Sequence, residues 1–599
     1  MKIFRLLLIL IISISLYAQN YPPKYSAVLK DRVSRISDEG TVLVWIFFKD
    51  KGNSLNKYFD KPSMVVSEAS LRRRAKVFNN SELIDQTDLP VNKNYLNEIE
   101  ILGVKVKNIS KWFNGVSAFV AKKNLDKITS LDFVNKIDLV GMFKKSARPV
   151  INDNIIQPGI NLNKQNVHTY DYGQSFNQVN LSKIPDVHDL GFTGKGITIC
   201  VMDAGVSNLS HEVFADMITN GRLKAQYDFV NHDSVVANQA DSGEGSHGTY
   251  TLALIGGFKQ GQLIGPAFEA NYLLAKTENT QSESPVEEDN WIAAMEWADS
   301  IGVDVTSTSL GYRDGFDFGY TDYTAQDMNG NTTRITIAAD LAVKKGVVVV
   351  NSAGNEAGIL EPSTTATDGA HNTLIAPADG DSVITVGAVT STGTKASFSS
   401  YGPTADNRTK PDLMAVGVSD YIPNATSGNV NGYSSGNGTS FSCPIVAGVA
   451  ALILEKHPTW TPMQVRDALR KTASRKDNPD NNYGWGVVDA LAAINYNPDD
   501  TSSNNFIPEN FELAQNYPNP FNPSTKIKYG LKEDGYVTLK VYNMLGSLVS
   551  TLVSEYQAAK SYEVEFNAKT SPNPLASGVY FYTLQVGTFT VTKKMVILK

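Results

Sequence analysis

The sequence predicts an α/β protein. Its central domain is a mostly parallel sheet with helices on both faces, preceded by a small α+β unit and followed by an all-β sandwich. Three observations predict this. Between about residues 196 and 456, near-continuous Val/Ile strands alternate with helical stretches, the pattern of a sheet buried on both faces. Short strands and helices alternate upstream, over about residues 25–145. Downstream of a polar stretch, period-two strands are separated by Asn/Pro turns. Over 599 residues, 42% hydrophobic and 19% charged residues give an ordinary globular balance. The net charge of −7, from 54 Lys+Arg and 61 Asp+Glu, argues against a nucleic-acid-coating protein, which needs clustered Lys/Arg. Two cysteines, Cys200 and Cys443, exclude a disulfide scaffold or a cysteine-rich zinc site, and leave open whether the two pair.

Taken in order, Lys2 and Arg5 precede an apolar run over 6–16 that ends in Tyr17-Ala18-Gln19. A basic start, a short apolar core and a small residue describe a secretory signal over residues 1–18, too short for the ~20 residues of a membrane span. No later segment reads as long and apolar enough to cross a bilayer, so the mature chain is expected to have no transmembrane span. The α+β unit, 25–145, reads as a buried strand at 42–48, a helix at 91–102 and strands at 104–108 and 115–121. A helix at 123–131 and a strand at 134–140 complete it. Arg72, Arg73 and Arg74 read as a solvated helix face. Residues 146–178, polar and aperiodic, read as an exposed connection of the kind a protease nicks. The central domain, 179–497, is expected to hold strands at 196–201, 273–276, 303–307, 347–351 and 383–389. Its helices are expected at 291–301 (amphipathic), 335–345 and 439–456. A linker at 498–508 and a β-sandwich at 509–599, with strands around Val537-Leu539-Val541, Tyr562-Val564-Phe566 and Val579-Phe581, close the chain.

Four segments of the central domain place a reactive residue at the end of a buried element. A strand runs into Asp203-Ala204-Gly205; His247 stands in Gly245-Ser246-His247-Gly248-Thr249 ahead of an apolar helix. Another strand ends in Ser352-Ala353-Gly354-Asn355, and Gly438-Thr439-Ser440 opens the long helix, with Pro444 in its first turn. Strand ends of a parallel sheet share one edge, so all four segments converge on one cleft. The residue types match an acyl-transfer site. A Ser hydroxyl needs a base, imidazole titrates near neutrality, and a buried Asp fixes its tautomer. A helix start favours developing negative charge, and an Asn amide donates to an oxyanion. Two rival motifs lack their context. Gly432-Tyr433-Ser434-Ser435-Gly436 matches a nucleophile elbow without the strand before or the helix after. Gly243-Glu244-Gly245-Ser246-His247-Gly248 matches a dinucleotide fingerprint without a preceding strand. Of the seven His, only His247 stands in a Gly-flanked loop before an apolar helix.

The order Asp, His, Ser and the four segments around Asp203, His247, Asn355 and Ser440 resemble the signatures of the subtilisin-like serine peptidases. Supporting matches are Ser309-Leu310-Gly311, Lys410-Pro411-Asp412 and Tyr483-Gly484-Trp485-Gly486, and the resemblance spans roughly 170–497. It implies Asp203, His247 and Ser440 as catalytic residues and Asn355 at the oxyanion. Ser309, Leu310, Gly311, Ala353 and Gly354 then line the substrate strand and pocket. It also implies protein or peptide substrates and no cofactor required for chemistry. The family's structural calcium is permitted by acidic stretches such as 477–482 but demonstrated by no ligand spacing, so no metal ligand is assigned. One departure is Ala204, where the family has Ser or Thr after the Asp; the lost hydroxyl leaves room for a rival reading, an inactive protease scaffold that only binds. The first unit, with the segment at 110–118, resembles the inhibitor-like propeptide of these peptidases, which implies a self-processed zymogen whose partner is its own propeptide. The last unit resembles the sorting domains of type IX secretion cargo through the Asn/Pro run at 516–523, Gly578-Val579-Tyr580 and Lys593-Lys594. That implies recognition by outer-membrane secretion machinery and a secreted or cell-surface location.

Overall fold

The computed structural model describes residues 24–53, 55–78, 83–140, 150–152 (backbone only), 168–239, 245–279, 287–313, 322–357, 372–497, 510–569 and 575–598. The leader, most of the connection at 146–178 and the linker at 498–508 lie outside them. The chain forms two compact units, Met1–Tyr496 and Asn497–Lys599. Helices of seven residues or more and strands of three or more are numbered in chain order.

The first unit opens with α1 (Ala27–Arg35), β1 (Thr41–Phe48), α2 (Glu68–Arg74), α3 (Lys93–Ile101), β2 (Lys105–Ser110), β3 (Gly115–Ala121), α4 (Lys122–Ser130) and β4 (Val134–Leu139). Its antiparallel sheet has the order β2-β3-β1-β4. β1 reads as a continuous apolar run because both its faces are covered. Val42, Val44 and Ile46 pack with Leu29 of α1, Ile99 of α3 and Ile128 of α4. Leu43 and Trp45 instead join a core with Trp291 and Met295 of the central domain.

Next come β5 (Val150–Asn152), β6 (Thr198–Asp203), β7 (Leu223–Asp228), α5 (Ser246–Gly256), β8 (Asn271–Lys276), α6 (Glu287–Ile301), β9 (Val305–Thr308), α7 (Arg334–Lys344) and β10 (Val348–Ser352). They are followed by β11 (Ile384–Val389), β12 (Leu413–Val416), β13 (Asp420–Pro423), β14 (Tyr433–Asn437), α8 (Thr439–Lys456) and α9 (Pro462–Thr472). Seven strands form a wholly parallel sheet in the order β12-β11-β10-β9-β6-β8-β7. Alternation along β6 splits the core. Cys200 and Met202 face α6 and α7, whereas Ile199 and Val201 face the side of α5, α8 and α9.

Four expectations change. Arg73 and Arg74 are 2% and 0% exposed, not solvated, because α2 packs on the central domain, where both meet Asp299. Helix α6 buries ten of its fifteen residues instead of showing a polar outer face, since the first sheet covers that side. The connection at 146–178 is structured in part: β5 pairs antiparallel with β14, Val150 opposite Asn437, and Tyr172 and Ser175 are buried. The 18-residue α8 is apolar enough to cross a bilayer by length and composition, yet 89% of it is buried, so it reads as a core helix. Both cysteines are buried free thiols.

The second unit packs two sheets about one core. The strands are β15 (Ser524–Gly530), β16 (Gly535–Asn543), β17 (Leu548–Gln557), β18 (Ser561–Asn567), β19 (Gly578–Val586) and β20 (Phe589–Ile597). Glu512–Leu513, β15 and β18 form one sheet, and β17-β16-β19-β20 the other. Val537, Leu539 and Val541 of β16 all point inward at 0% exposure. On β19 the inward set is Tyr580, Tyr582 and Leu584, the opposite parity from Val579 and Phe581. The Asn/Pro run is tied down: the backbone N–H of Asn516 donates to the Tyr582 hydroxyl at 2.7 Å, and Asn516 Nδ2 donates to Thr525 Oγ1 at 3.0 Å.

Candidate active site

Asp203 ends β6, and β9 and β10 run parallel beside it, so Asp203, Ser309 and Ala353 leave the sheet at the same edge. Asp203 is 2% exposed. Its Oδ1 accepts the Ala204 backbone N–H at 2.7 Å and His247 Nδ1 at 2.6 Å. Because a carboxylate only accepts, Nδ1 carries the proton and Nε2 is the basic nitrogen of the neutral ring. Oδ2 accepts the Thr251 hydroxyl at 3.0 Å. The family hydroxyl missing at Ala204 is therefore answered from another direction. The sequence carries a signal for it: Thr251 lies four residues after His247 on α5, so the two share a helix face.

The glycines around His247 admit this contact. A Cβ on Gly248 would stand 2.2 Å from Gly205 O and 3.1 Å from Asp203 Cβ, so the helix approaches the Asp203 turn only without a side chain there. His247 is the second residue of α5, and its ring lies near-parallel to Phe441, with centroids 6.4 Å apart.

Ser440 is the second residue of α8 and 4% exposed. Its Oγ donates to Ser309 O at 3.3 Å, while Ser309 Oγ donates to Ser440 O at 2.9 Å. Pro444 is the sixth helical residue, in the second turn and not the first, and it lacks the N–H that would bond the Ser440 carbonyl. The Ser309 hydroxyl fills that place.

Asn355 accepts at Oδ1 from the Thr439 backbone N–H at 2.9 Å and from Thr439 Oγ1 at 3.1 Å. A backbone N–H can only donate, so the amide orientation is set and its NH2 points away from Thr439. Thr439 Oγ1 also accepts the Gly354 N–H at 3.2 Å, and Gly354 has a φ of +110° that favours glycine. Leu310 O accepts Asn351 Nδ2 at 3.1 Å, and Gly311 lies against Ile375, which a Cβ would meet at 2.3 Å. The Tyr312 hydroxyl donates to Glu278 Oε1, and loss of solvent raises the Glu278 carboxyl above the usual carboxylate range. Thr251, Thr439 and Glu278 are not among the residues that the sequence motifs single out for the site. Among the described residues no group of three or more His, Cys, Asp or Glu is placed to hold a metal ion.

The Subtilase family model matches residues 194–486, the Peptidase S8 propeptide domain of Bacteroidota matches 43–153, and the Secretion system C-terminal sorting domain matches 515–598. Subtilisin NAT of Bacillus subtilis subsp. natto is 33% identical over 329 residues, covering 54% of this chain and 72% of its own. Subtilisin of Bacillus pumilus is 34% identical over 316 residues, covering 52% of this chain and 95% of its own. Serine protease AprX of Bacillus subtilis (strain 168) is 32% identical over 327 residues, covering 50% of this chain and 67% of its own. The chain belongs to the subtilase family. It is a subtilisin-like serine endopeptidase with a propeptide and a secretion sorting domain, a secreted or cell-surface protein whose chemistry needs no cofactor.

Proposed function

We propose that Ser440 is the nucleophile, His247 the general base and acid, and Asp203 the residue that orients the imidazole and stabilises its cation. In this reading the Ser440 hydroxyl passes its proton to His247 Nε2 as Oγ attacks the scissile carbonyl. The Asn355 NH2 then takes the oxyanion, and His247 returns the proton to the leaving amine. Water hydrolyses the acyl-enzyme by the same route. Ser309, Leu310, Gly311, Ala353 and Gly354 line the acyl side of the cleft. The observation that carries the reading is the 2.6 Å contact of His247 Nδ1 with Asp203 Oδ1, which leaves Nε2 the unprotonated nitrogen of a ring whose centroid stands 6.4 Å from that of Phe441, the residue after Ser440.

The organisation proposed with it rests on the three family matches. Residues 25–145 act as propeptide, 146–178 as the processing region, 179–497 as the catalytic domain and 509–599 as the sorting domain, which directs passage across an outer membrane. A serine-directed phosphonate should label wild-type protein at Ser440 and leave Ser440→Ala unlabelled; no adduct on the wild type would overturn the assignment. Wild type should lose its first ~150 residues while Ser440→Ala keeps them, as the cut falls in the processing region. Equal sizes would remove self-maturation.

A further inference from the structure

The segment between β1 and α3 is more than a loop of the propeptide sheet. It carries a small core of its own, Val66, Ile84 and Leu89, and sets α2 across the ends of two catalytic-domain helices. A helix leaves its last carbonyls without partners, and its C-terminal end attracts cations. Here α2 and its N-cap supply both needs. At the end of α6, the Ser67 N–H donates to Ser300 O at 2.8 Å and the Ser67 hydroxyl to Ile301 O at 2.6 Å. Arg73 Nη1 donates to Val303 O at 2.6 Å and Asp299 O at 3.4 Å, and Arg73 Nε reaches Lys345 O, at the end of α7, at 3.2 Å. Gly302 makes room: a Cβ there would stand 2.5 Å from Ala69 Cβ.

The charges interlock across the same contact. Asp299 accepts Arg73 at Oδ1 and Arg74 Nη2 at Oδ2 at 2.6 Å. Arg74 is forked onto Asp88, with both bonds at 2.8 Å. Lys345 Nζ stands 3.0 Å from both Asp88 oxygens. All five side chains are at most 2% exposed. Asp88 is held below the usual carboxylate range: burial alone would raise it, and the bonds from Arg74 and the charge of Lys345 outweigh that.

We propose that Ser67, Arg73, Arg74 and Asp88 form an arginine latch, in which the Arg73 guanidinium reads Asp299 and the carboxyl ends of α6 and α7, and which governs how long the cut propeptide stays on the enzyme. This rests on the self-processed zymogen proposed above and adds the element that sets its latency. The planar fork suits the site because its donors reach several carbonyls and a carboxylate at once, which an ammonium cannot do.

The test compares full-length wild type, Arg73→Met, Arg73→Lys and Ser67→Ala. Mass analysis follows the cut, size exclusion follows co-elution of the two fragments, and a peptide substrate follows the onset of hydrolysis. Arg73→Met should be cut as wild type is, yet release its propeptide at least about tenfold sooner, with Arg73→Lys between the two. Wild-type lag and co-elution in Arg73→Met would overturn the latch. If Arg73→Met does not fold, Ser67→Ala keeps the guanidinium and loses the bond to Ile301 O together with the α2 cap on the Ser70 N–H; it should shorten the lag about threefold, and an unchanged lag counts against the latch. Amide exchange in the uncut Ser440→Ala chain separates the latch from self-maturation. Adding Arg73→Met there should speed exchange about tenfold or more at residues 67–77, 299–303 and 345–347 while β1 and β3 stay protected. Unaltered exchange overturns the latch even if no chain cuts itself, whereas a wild type that stays whole overturns self-maturation instead.

Discussion

Ser309 and Ser440 exchange hydrogen bonds, hydroxyl to carbonyl in both directions, at 2.9 and 3.3 Å. The end of β9 thereby holds the start of α8, and Pro444 is the reason the Ser440 carbonyl is open to it. Ser309→Ala should orphan that buried carbonyl at a cost of about 1–3 kcal/mol and cut kcat by roughly tenfold or more, since Ser440, the proposed nucleophile, loses its support. Steady-state kinetics on a peptide amide decides this; an unchanged kcat would show that the helix start needs no such tie.

Thr251 is the next residue with a measurable role. It is 1% exposed, and its hydroxyl donates to Asp203 Oδ2 at 3.0 Å. Thr251→Val keeps the shape and removes the donor, so kcat/KM should fall by about 1 kcal/mol, roughly fivefold. Thr251→Ser should restore most of it. Val and Ser variants of equal activity would dismiss the bond.

For Asn355 the expected change falls on the transition state alone. Asn355→Ala should lower kcat by about 10²–10³ with little effect on KM, a magnitude carried over from the oxyanion Asn of a subtilisin. Because Asn355 Oδ1 also holds Thr439, amide exchange near Thr439 should be compared, to separate lost stabilisation from a shifted helix start. A KM effect of the same size as the kcat effect would argue against the oxyanion role.

His188 makes stability depend on pH. It is 2% exposed, donates from Nε2 to Pro266 O at 2.8 Å, and accepts the Tyr172 hydroxyl at Nδ1, 2.6 Å away. Burial holds it neutral, lowering its pKa from 6.5 to about 4. Between those values the unfolded chain takes up a proton that the folded chain refuses, so stability is lost as pH falls from 6.5 toward 4, by up to about 3 kcal/mol. Urea unfolding of the Ser440→Ala chain at pH 7 and 4.5 should show the loss, and His188→Gln should show much less of it. Parallel losses in both chains would assign it to other groups.

Much of the first unit's central fold was legible because buried parallel strands and Gly-flanked turns leave local marks. Val347 to Val350, Gly354 ahead of Asn355, and Gly248 after His247 each announce their geometry in a few residues. Arg73 and Arg74 did not. Three consecutive arginines on a seven-residue helix look solvated until Asp299, 226 residues from Arg73, is placed against them. Parity on β19 failed for a related reason: Val579 through Tyr582 is apolar or aromatic on both faces, so alternation alone does not choose the inward side.

Residue order, strand composition and turn chemistry determined that Asp203, His247, Asn355 and Ser440 all stand at element ends of one kind of sheet, since those signals act over a few residues. Only the tertiary structure decided who supports them: Thr251 in place of a hydroxyl at 204, Ser309 in place of the N–H that Pro444 lacks, and a propeptide helix in place of solvent at the ends of α6 and α7. Hydrogen-bond accounting in a packed interior is settled by neighbours distant in sequence, and local pattern holds no record of them.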